Sequence, residues 1–341
     1  MKFAGIAAMG DFWRVVREFN PEGIEREATA PLDLWIAGEP GSGKRTLAAA
    51  LVGGSSDPRA RGPFRTLDVD YQQPRFSELA GPDLVILVAR LDRELAEQGR
   101  RAAALFGRLR VPTLLVFTHA DATGRTRDER NAAYRAFSFV SHMRMAFVDA
   151  RDPQEVVEMV APLLLDSLPG SRTALARQLL PLRQAVAEQI IAETCRVNAQ
   201  FALAANLPAN LPFFGGVAGN VADFFVLTKN QVMMALRLSA IYGREIAPTL
   251  QVAKELAPVI GGGILWRSAA RMAAGMLPTL LAAAPKTAIA YVGTYVAGHA
   301  ARYYFDEGRK PPQELLQQFG SEGARLYRSR IARPAAPETS A

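Results

Sequence analysis

The segment 38–44, with the sequence GEPGSGK, has residue types and spacing that suit phosphate binding. It matches the pattern GxxxxGK, with an apolar run before it and a helical pattern after it. Glycine lets backbone N–H groups turn towards phosphate oxygens, and a helix N-terminus adds a favourable dipole. The segment therefore predicts a phosphate-binding loop whose lysine reaches the outer phosphates. The predicted ligand-binding residues of the loop are Gly38, Gly41, Ser42, Gly43 and Lys44.

The residue after the lysine departs from the pattern. Arg45 stands where a serine or threonine would coordinate Mg²⁺, and Thr46 comes one residue later, about 100° further around a helix. Arg45 could offset phosphate charge directly, or it could point outward while water completes a metal shell. We include Arg45 and Thr46 in the predicted nucleotide site. The departure argues against Mg²⁺, for which Thr46 remains a candidate ligand.

Five short apolar runs must position this loop, at 34–37, 64–69, 84–89, 113–117 and 145–148. Helical patterns lie between them, near 44–52, 92–109, 127–140 and 153–165. This alternation predicts an α/β fold with a mostly parallel sheet, and the near-continuous apolar strands predict helices on both faces. After about residue 168 the pattern becomes helical throughout, which predicts an all-α region with helices near 171–204, 217–242, 246–257, 264–284, 287–304 and 312–330.

Composition and charge exclude several classes of protein. The chain of 341 residues is 49% hydrophobic and 21% charged, which excludes a disordered chain. One cysteine and three histidines exclude a disulfide framework and a cysteine-based zinc site.

Residues 1–170 carry 22 Lys/Arg against 23 Asp/Glu, whereas residues 171–341 carry 18 against 10. The basic excess of the second half favours an anionic partner, and cations flanking apolar stretches suit a lipid headgroup better than nucleic acid.

The order of these elements resembles a small Era/TrmE-type GTP-binding domain that lacks one edge strand. In that family a strand ends in [NT]KxD, and here the fourth strand runs into Thr118-His119-Ala120-Asp121. The resemblance implies that Asp121 accepts hydrogen bonds from guanine and that Thr118 belongs to the same motif, although His119 replaces the usual lysine. It also implies a base contact at Ala150, within the partial motif Asp149-Ala150-Arg151. GTP or GDP is the implied ligand.

The family's DxxG motif falls on the segment 68–73, DVDYQQ. Asp68 is placed as the motif aspartate and as a second candidate metal ligand, with Tyr71 where glycine is needed. Gln72 then falls where some family members carry the water-orienting glutamine, so it is the candidate catalytic residue. If Asp70 is the motif aspartate instead, Gln73 replaces the glycine. In either alignment the glycine of DxxG is missing, so the sequence supports GTP hydrolysis less strongly than nucleotide binding.

The segments 212–216, PFFGG, 227–234, LTKNQVMM, and 241–243, IYG, form a pattern of small, apolar and single polar residues. Over roughly residues 170–305 this pattern resembles the C-terminal domain of YcjF-like bacterial inner-membrane proteins. This resemblance implies association with the membrane, at the cytoplasmic face of the inner membrane, with a cytoplasmic location as the alternative. Residues 272–301 carry one charge and could form a tilted span, a pair of half-depth helices or part of a water-soluble Ala-rich bundle. A protein partner is expected but not identified, and no nucleic acid partner is expected.

The expected organisation is an N-terminal helix and linker at 1–29 and a G-like nucleotide-binding domain at 30–168. A helical domain at 169–310 and an amphipathic helix with a tail at 311–341 follow. Three functions remain open at this point. The first is a membrane-associated GTP-binding switch or scaffold with slow or absent hydrolysis. The second is a pseudo-GTPase scaffold with structural nucleotide or none, and the third is an ATP-binding protein.

Overall fold

The structure is a computed structural model that describes residues 22–53, 62–68, 81–95, 97, 111–120, 126–137, 144–204, 221–244 and 285–330. The chain divides into two compact units. The sheet unit comprises Glu27–Gln184, and the C-terminal unit comprises Ala185–Ala341 together with Met1–Arg26.

The sheet unit contains five parallel strands. They are β1 (Leu34–Gly38), β2 (Phe64–Asp68), β3 (Leu84–Arg90), β4 (Thr113–Thr118) and β5 (Arg144–Phe147). Their spatial order is β2-β1-β3-β4-β5, so the order reverses direction at β1. In this register Gly38 lies beside both Asp68 and Val88, which brings the carboxyl ends of three strands together. The predicted α/β fold with a parallel sheet is confirmed.

Helix α1 (Glu22–Thr29) precedes β1 in the chain. The helices of the sheet unit that follow strands are α2 (Lys44–Val52), α3 (Arg127–Ala136), α4 (Pro153–Ser167) and α5 (Arg172–Gln178). The three central strands are buried along nearly their whole length, as a sheet covered on both faces requires. On one face Phe117 contacts Phe137 at the end of α3 and stacks on Phe147 of β5, with ring centroids 5.3 and 4.9 Å apart.

Side chains at the N-termini of α3 and α4 accept hydrogen bonds from backbone amides of the first helical turn. Before α3, Thr126 Oγ1 accepts from Glu129 N at 3.3 Å, and Glu129 Oε2 accepts from Thr126 N at 3.1 Å. Before α4, Asp152 accepts from the amides of Gln154 and Glu155 at 2.9 and 3.2 Å. These bonds satisfy backbone donors that have no partner inside the helix.

The region 171–204 differs from the single helix that its sequence predicts. Helix α5 ends at Gln178, a short 3₁₀ turn occupies Leu180–Leu182, and α6 (Arg183–Ala204) then begins. Pro181 explains the interruption, since its ring clashes with the preceding helical turn and it lacks an N–H donor. Helix α5 belongs to the sheet unit, where Thr173 Oγ1 donates to Glu27 Oε1 at 2.6 Å and Gln178 Nε2 donates to Ala30 O at 3.2 Å.

In the C-terminal unit the structure describes most of α6 and three further helices. They are α7 (Val221–Ile241), α8 (Pro285–Glu307) and α9 (Gln313–Arg330). Helix α8 packs against α7 and α9. A buried polar cluster joins α6, α7 and α8: Asn198 Nδ2 donates to Thr294 Oγ1 at 2.8 Å, and Asn230 Nδ2 donates to Asn198 Oδ1 at 2.7 Å. Gln231 Nε2 also donates to Thr294 Oγ1, at 3.3 Å.

Several sequence-based predictions fall outside the described residues. They include the N-terminal helix, the helices at 246–257 and 264–284, and most of the helix at 92–109. Within the part of the chain that the structure describes, no helix is both long and apolar enough to cross a membrane.

Candidate nucleotide-binding site

The predicted phosphate loop connects the end of β1 to the start of α2. Gly38 is the last residue of β1, and Gly43 precedes the helix with a left-handed backbone, φ 86°. Close packing explains the need for glycine at position 38, because a Cβ there would lie 2.4 Å from the carbonyl oxygen of Val88. Within the loop Ser42 N donates to Glu39 O at 3.1 Å. The loop is therefore a defined turn between strand and helix, as GxxxxGK predicts.

Lys44 is 5% exposed and its ammonium group lies inside the loop. Nζ donates to the carbonyl oxygens of Gly38 and Glu39 at 2.9 and 2.6 Å. It also forms an ion pair with Asp68 Oδ1 at 2.8 Å, and the Asp68 side chain is 64% exposed. The loop carbonyls and the carboxylate together use the three donors of the ammonium. An incoming phosphate must therefore compete with Asp68, the more exposed partner, for Lys44.

A cavity of about 560 Å³ opens beside this lysine, a size typical of small-molecule sites. Seven residues of the sequence-predicted site line it: Gly41, Gly43, Lys44, Arg45, Thr46, Asp68 and Ala150. Five further residues complete the wall: Pro40, Thr66, His119, Asp149 and Arg151. The cavity thus joins the loop to the ends of β2, β4 and β5, four segments that are far apart in the sequence.

Three predicted site residues lie at the loop without lining the cavity. The carbonyl oxygen of Gly38 accepts from Lys44, and Ser42 is 1% exposed. Thr118 is fully buried, and its Oγ1 donates to the carbonyl oxygen of Ser42 at 2.8 Å. Thr118 therefore fixes the phosphate loop to the end of β4. Gln72 and Asp121 lie outside the described residues.

His119 follows β4 and has a positive φ of 62°, a conformation that residues other than glycine rarely adopt. Its Nδ1 lies 3.1 Å from Thr118 Oγ1. The conformation brings the imidazole to the cavity wall at the point where the chain enters the predicted guanine motif. Backbone conformations of this kind concentrate at functional sites, where the surrounding structure maintains them.

The segment 149–151 also lines the cavity, and hydrogen bonds of Asp149 hold it in place. Asp149 Oδ1 accepts from the backbone N and the Nε of Arg151 at 2.9 and 3.1 Å. The bond from the Arg151 guanidinium lowers the pKa of the Asp149 carboxyl. Asp149 N in turn donates to Glu155 Oε2 at 3.1 Å. Ala150 is therefore fixed between two anchored residues, a role that the partial motif alone did not indicate.

Arg90, which ends β3, supports the loop from outside the cavity, and the sequence analysis did not identify it. Its Nη1 donates to the carbonyl oxygen of Gly41 at 3.2 Å, while its Nε donates to Asp92 Oδ1 at 2.8 Å. The bonds from Arg90 hold the pKa of Asp92 at about 2. An arginine directly after a buried strand, followed two residues later by an aspartate, is the sequence signal that could have found this pair.

Lys44 and Arg45 line the cavity from the loop and the start of α2, and His119 and Ala150 line it from the segments that follow β4 and β5. In an open α/β sheet, ligands bind at the carboxyl ends of the strands where the strand order reverses, as it does at β1. Neither a protein-family model nor a curated protein sequence matches this chain.

Proposed function

We propose that the sheet unit is a P-loop domain of the small G-protein type that binds guanine nucleotide and hydrolyses GTP slowly or not at all. One observation carries the proposal: the cavity gathers the loop residues, Asp68, His119 and Ala150, which follow β1, β2, β4 and β5. The family resemblance assigns these positions to phosphate, switch and base contacts. The parallel sheet brings these strand ends together, and the loop supplies the glycines and the lysine that phosphate binding requires.

Slow hydrolysis follows from the residues near the γ-phosphate. Arg45 replaces the hydroxyl residue that holds the metal, and Tyr71 or Gln73 replaces the glycine of DxxG. Loss of that glycine removes a close backbone N–H approach to the γ-phosphate. With Gln72 as the candidate water-orienting residue, we expect turnover well below the typical enzyme range of about 1–10³ s⁻¹.

The C-terminal unit is proposed as an all-α domain that associates with a membrane surface or a protein partner. The described helices α6 to α9 and the basic excess after residue 170 support this proposal. Basic residues near apolar segments attract anionic headgroups, and that attraction weakens with salt. In this arrangement the sheet unit is the switch or scaffold, and the C-terminal unit carries the interaction.

A pseudo-GTPase scaffold is the second candidate, and one observation favours it. The ammonium group of Lys44 has two carbonyl oxygens and Asp68 as partners, so it does not need a phosphate to satisfy its donors. In that case nucleotide would be structural or absent. A third candidate, an ATP-binding protein, requires Asp121 to have no role in base selection.

Titration calorimetry of the full chain with GTP, GDP and ATP tests the proposal. We expect GTP and GDP to bind more tightly than ATP. Lys44→Ala should weaken GTP and ATP alike by about 10- to 100-fold, because it removes charge-assisted hydrogen bonds to the phosphates. Asp121→Ala should remove the preference for guanine and keep part of the phosphate affinity.

Tyr134→Ala is the matched control, since this exposed residue of α3 does not line the cavity. It should leave all three affinities unchanged. Equal affinity of the parent protein for GTP and ATP would contradict the guanine assignment. Absence of binding to any of the three nucleotides would favour the scaffold candidate.

A further inference from the structure

Mg²⁺ usually accompanies phosphate in loops of this kind, and the residues of this cavity do not fit it. Arg45 is exposed on the cavity wall at the position where a hydroxyl oxygen would be needed. Mg²⁺ requires a near-ideal octahedron of oxygen ligands, whereas a guanidinium has only N–H donors and stays protonated. Among the described residues, no three His, Cys, Asp or Glu side chains lie together in a way that could hold a metal ion.

The charged groups of the cavity are already paired, with one exception. Lys44 pairs with Asp68 at 2.8 Å, and Arg151 pairs with Asp149 at 3.1 Å. Arg45 has no ion-pair or hydrogen-bond partner among the described residues, and its guanidinium is available to an incoming anion. Arginine suits phosphate because its N–H donors match two phosphate oxygens at once.

We propose that this cavity takes a nucleoside di- or triphosphate as the metal-free anion, with Arg45 supplying the positive charge that Mg²⁺ would otherwise bring. The inference rests on the function proposed above, because a nucleotide must bind in this cavity. Asp68 then opposes binding, since its carboxylate and the phosphate compete for the ammonium group of Lys44. In a magnesium site the same carboxylate would support binding, so Asp68 distinguishes the two arrangements.

Thr46 is the other oxygen donor that a metal could use, because its side chain also lines the cavity. It stands one residue beyond the usual ligand position, about 100° around the helix. In the metal-free arrangement its hydroxyl has no metal to coordinate. Removal of this hydroxyl therefore gives a second independent distinction between the two arrangements.

Calorimetry of the full chain with GTP and with GDP, in Mg²⁺ and in excess EDTA, is the first measurement. The dissociation constants in the two buffers should agree within about threefold, a difference well under 1 kcal/mol. Arg45→Ser should weaken binding in EDTA by about 10-fold or more, the usual effect of losing a charge-assisted hydrogen bond. Arg135→Ser removes the same charge from the exposed face of α3 and should change neither constant.

The second measurement compares Asp68→Asn with Thr46→Val under the same conditions. Asp68→Asn should tighten binding by about two- to fivefold, as expected when an exposed competing ion pair is removed. Thr46→Val should change the dissociation constants in Mg²⁺ and in EDTA by the same factor, because no metal links its hydroxyl to the phosphates. Both positions are exposed, so the folded state should tolerate the substitutions, and circular dichroism of each variant checks this.

Binding that is more than tenfold weaker in EDTA would overturn the inference while leaving the proposed function standing. Weaker binding of Asp68→Asn in Mg²⁺, or weaker binding of Thr46→Val in Mg²⁺ but not in EDTA, would do the same and would identify the residue concerned as a metal ligand. If neither GTP nor GDP binds in either buffer, the proposed function and the inference both fail.

Discussion

At the scale of single residues, the hydroxyl of Thr118 has a structural role that the predicted guanine motif does not indicate. It is fully buried and donates to the carbonyl oxygen of Ser42, inside the phosphate loop. The same oxygen lies 3.1 Å from His119 Nδ1. One side chain thus links the loop, the end of β4 and the imidazole at the cavity wall.

Thr118→Val is expected to lower the free energy of unfolding by about 1–3 kcal/mol, because it leaves the buried Ser42 carbonyl without this donor. It should also weaken phosphate binding through the loop. Chemical denaturation and calorimetry measure the two effects. Thr118→Ser keeps the hydroxyl and is the matched control. Equal stability of the valine variant and the parent would show that the hydrogen bond contributes nothing.

At the scale of secondary structure, helix α3 depends on a reciprocal pair of bonds at its first turn. Thr126 and Glu129 each accept from the other's backbone amide. The helix is short, 10 residues, and Ala133 is its one fully buried side chain. Short helices gain little from propensity alone, so the bonds at the N-terminus matter more here than in a long helix.

Thr126→Ala should destabilise α3 by about 0.5–2 kcal/mol, the usual effect of losing an N-terminal capping hydroxyl. Hydrogen exchange of the α3 amides should accelerate accordingly, while exchange in β1 stays near that of the parent. Thr126→Ser keeps the cap and should behave as the parent does. Unchanged protection of α3 in the alanine variant would contradict this assignment.

The elements that the sequence predicts correctly are those whose pattern arises from burial alone. Strands β1, β3 and β4 are buried on both faces, so their residues form the uninterrupted apolar runs by which they were recognised. The contacts that hold the site together could not be predicted. Arg90 donates to the carbonyl oxygen of Gly41, and Thr118 donates to that of Ser42. The two partners lie 49 and 76 residues apart in the sequence, respectively. No local pattern encodes such pairs, because they follow from the strand order.

At the scale of the whole molecule, pH is expected to act on the C-terminal unit through His299. Its ring is 4% exposed, between Tyr295 and Phe319 at centroid distances of 4.1 and 5.2 Å. Burial, assisted by the charge of Arg302, lowers the pKa of His299 to about 4. Glu188 Oε2 lies 3.6 Å from its Nε2 and would favour the charged form, but burial outweighs this attraction.

When folding lowers the pKa of a histidine, the unfolded state binds a proton more readily than the folded state does. Stability should therefore fall as the pH drops from about 6.5 to about 4, by up to the order of 3 kcal/mol. Burial raises the pKa of Glu188, which opposes this trend as the pH falls. The free energy of unfolding of His299→Gln, measured by chemical denaturation at several pH values, should show little of this decrease. An equal decrease in parent and variant would assign it to other groups.

The buried amides of the C-terminal unit bear on the uniqueness of the native state. Helix α8 packs closely at Gly298, where a Cβ would lie 2.8 Å from Cγ1 of Ile191. A slide of α8 by one helical turn would move it by about 5.4 Å. Such a slide would separate Asn198 from Thr294 and leave both polar groups dry and unpaired. Asn198 therefore disfavours any alignment of α6, α7 and α8 in which it loses Thr294 and Asn230.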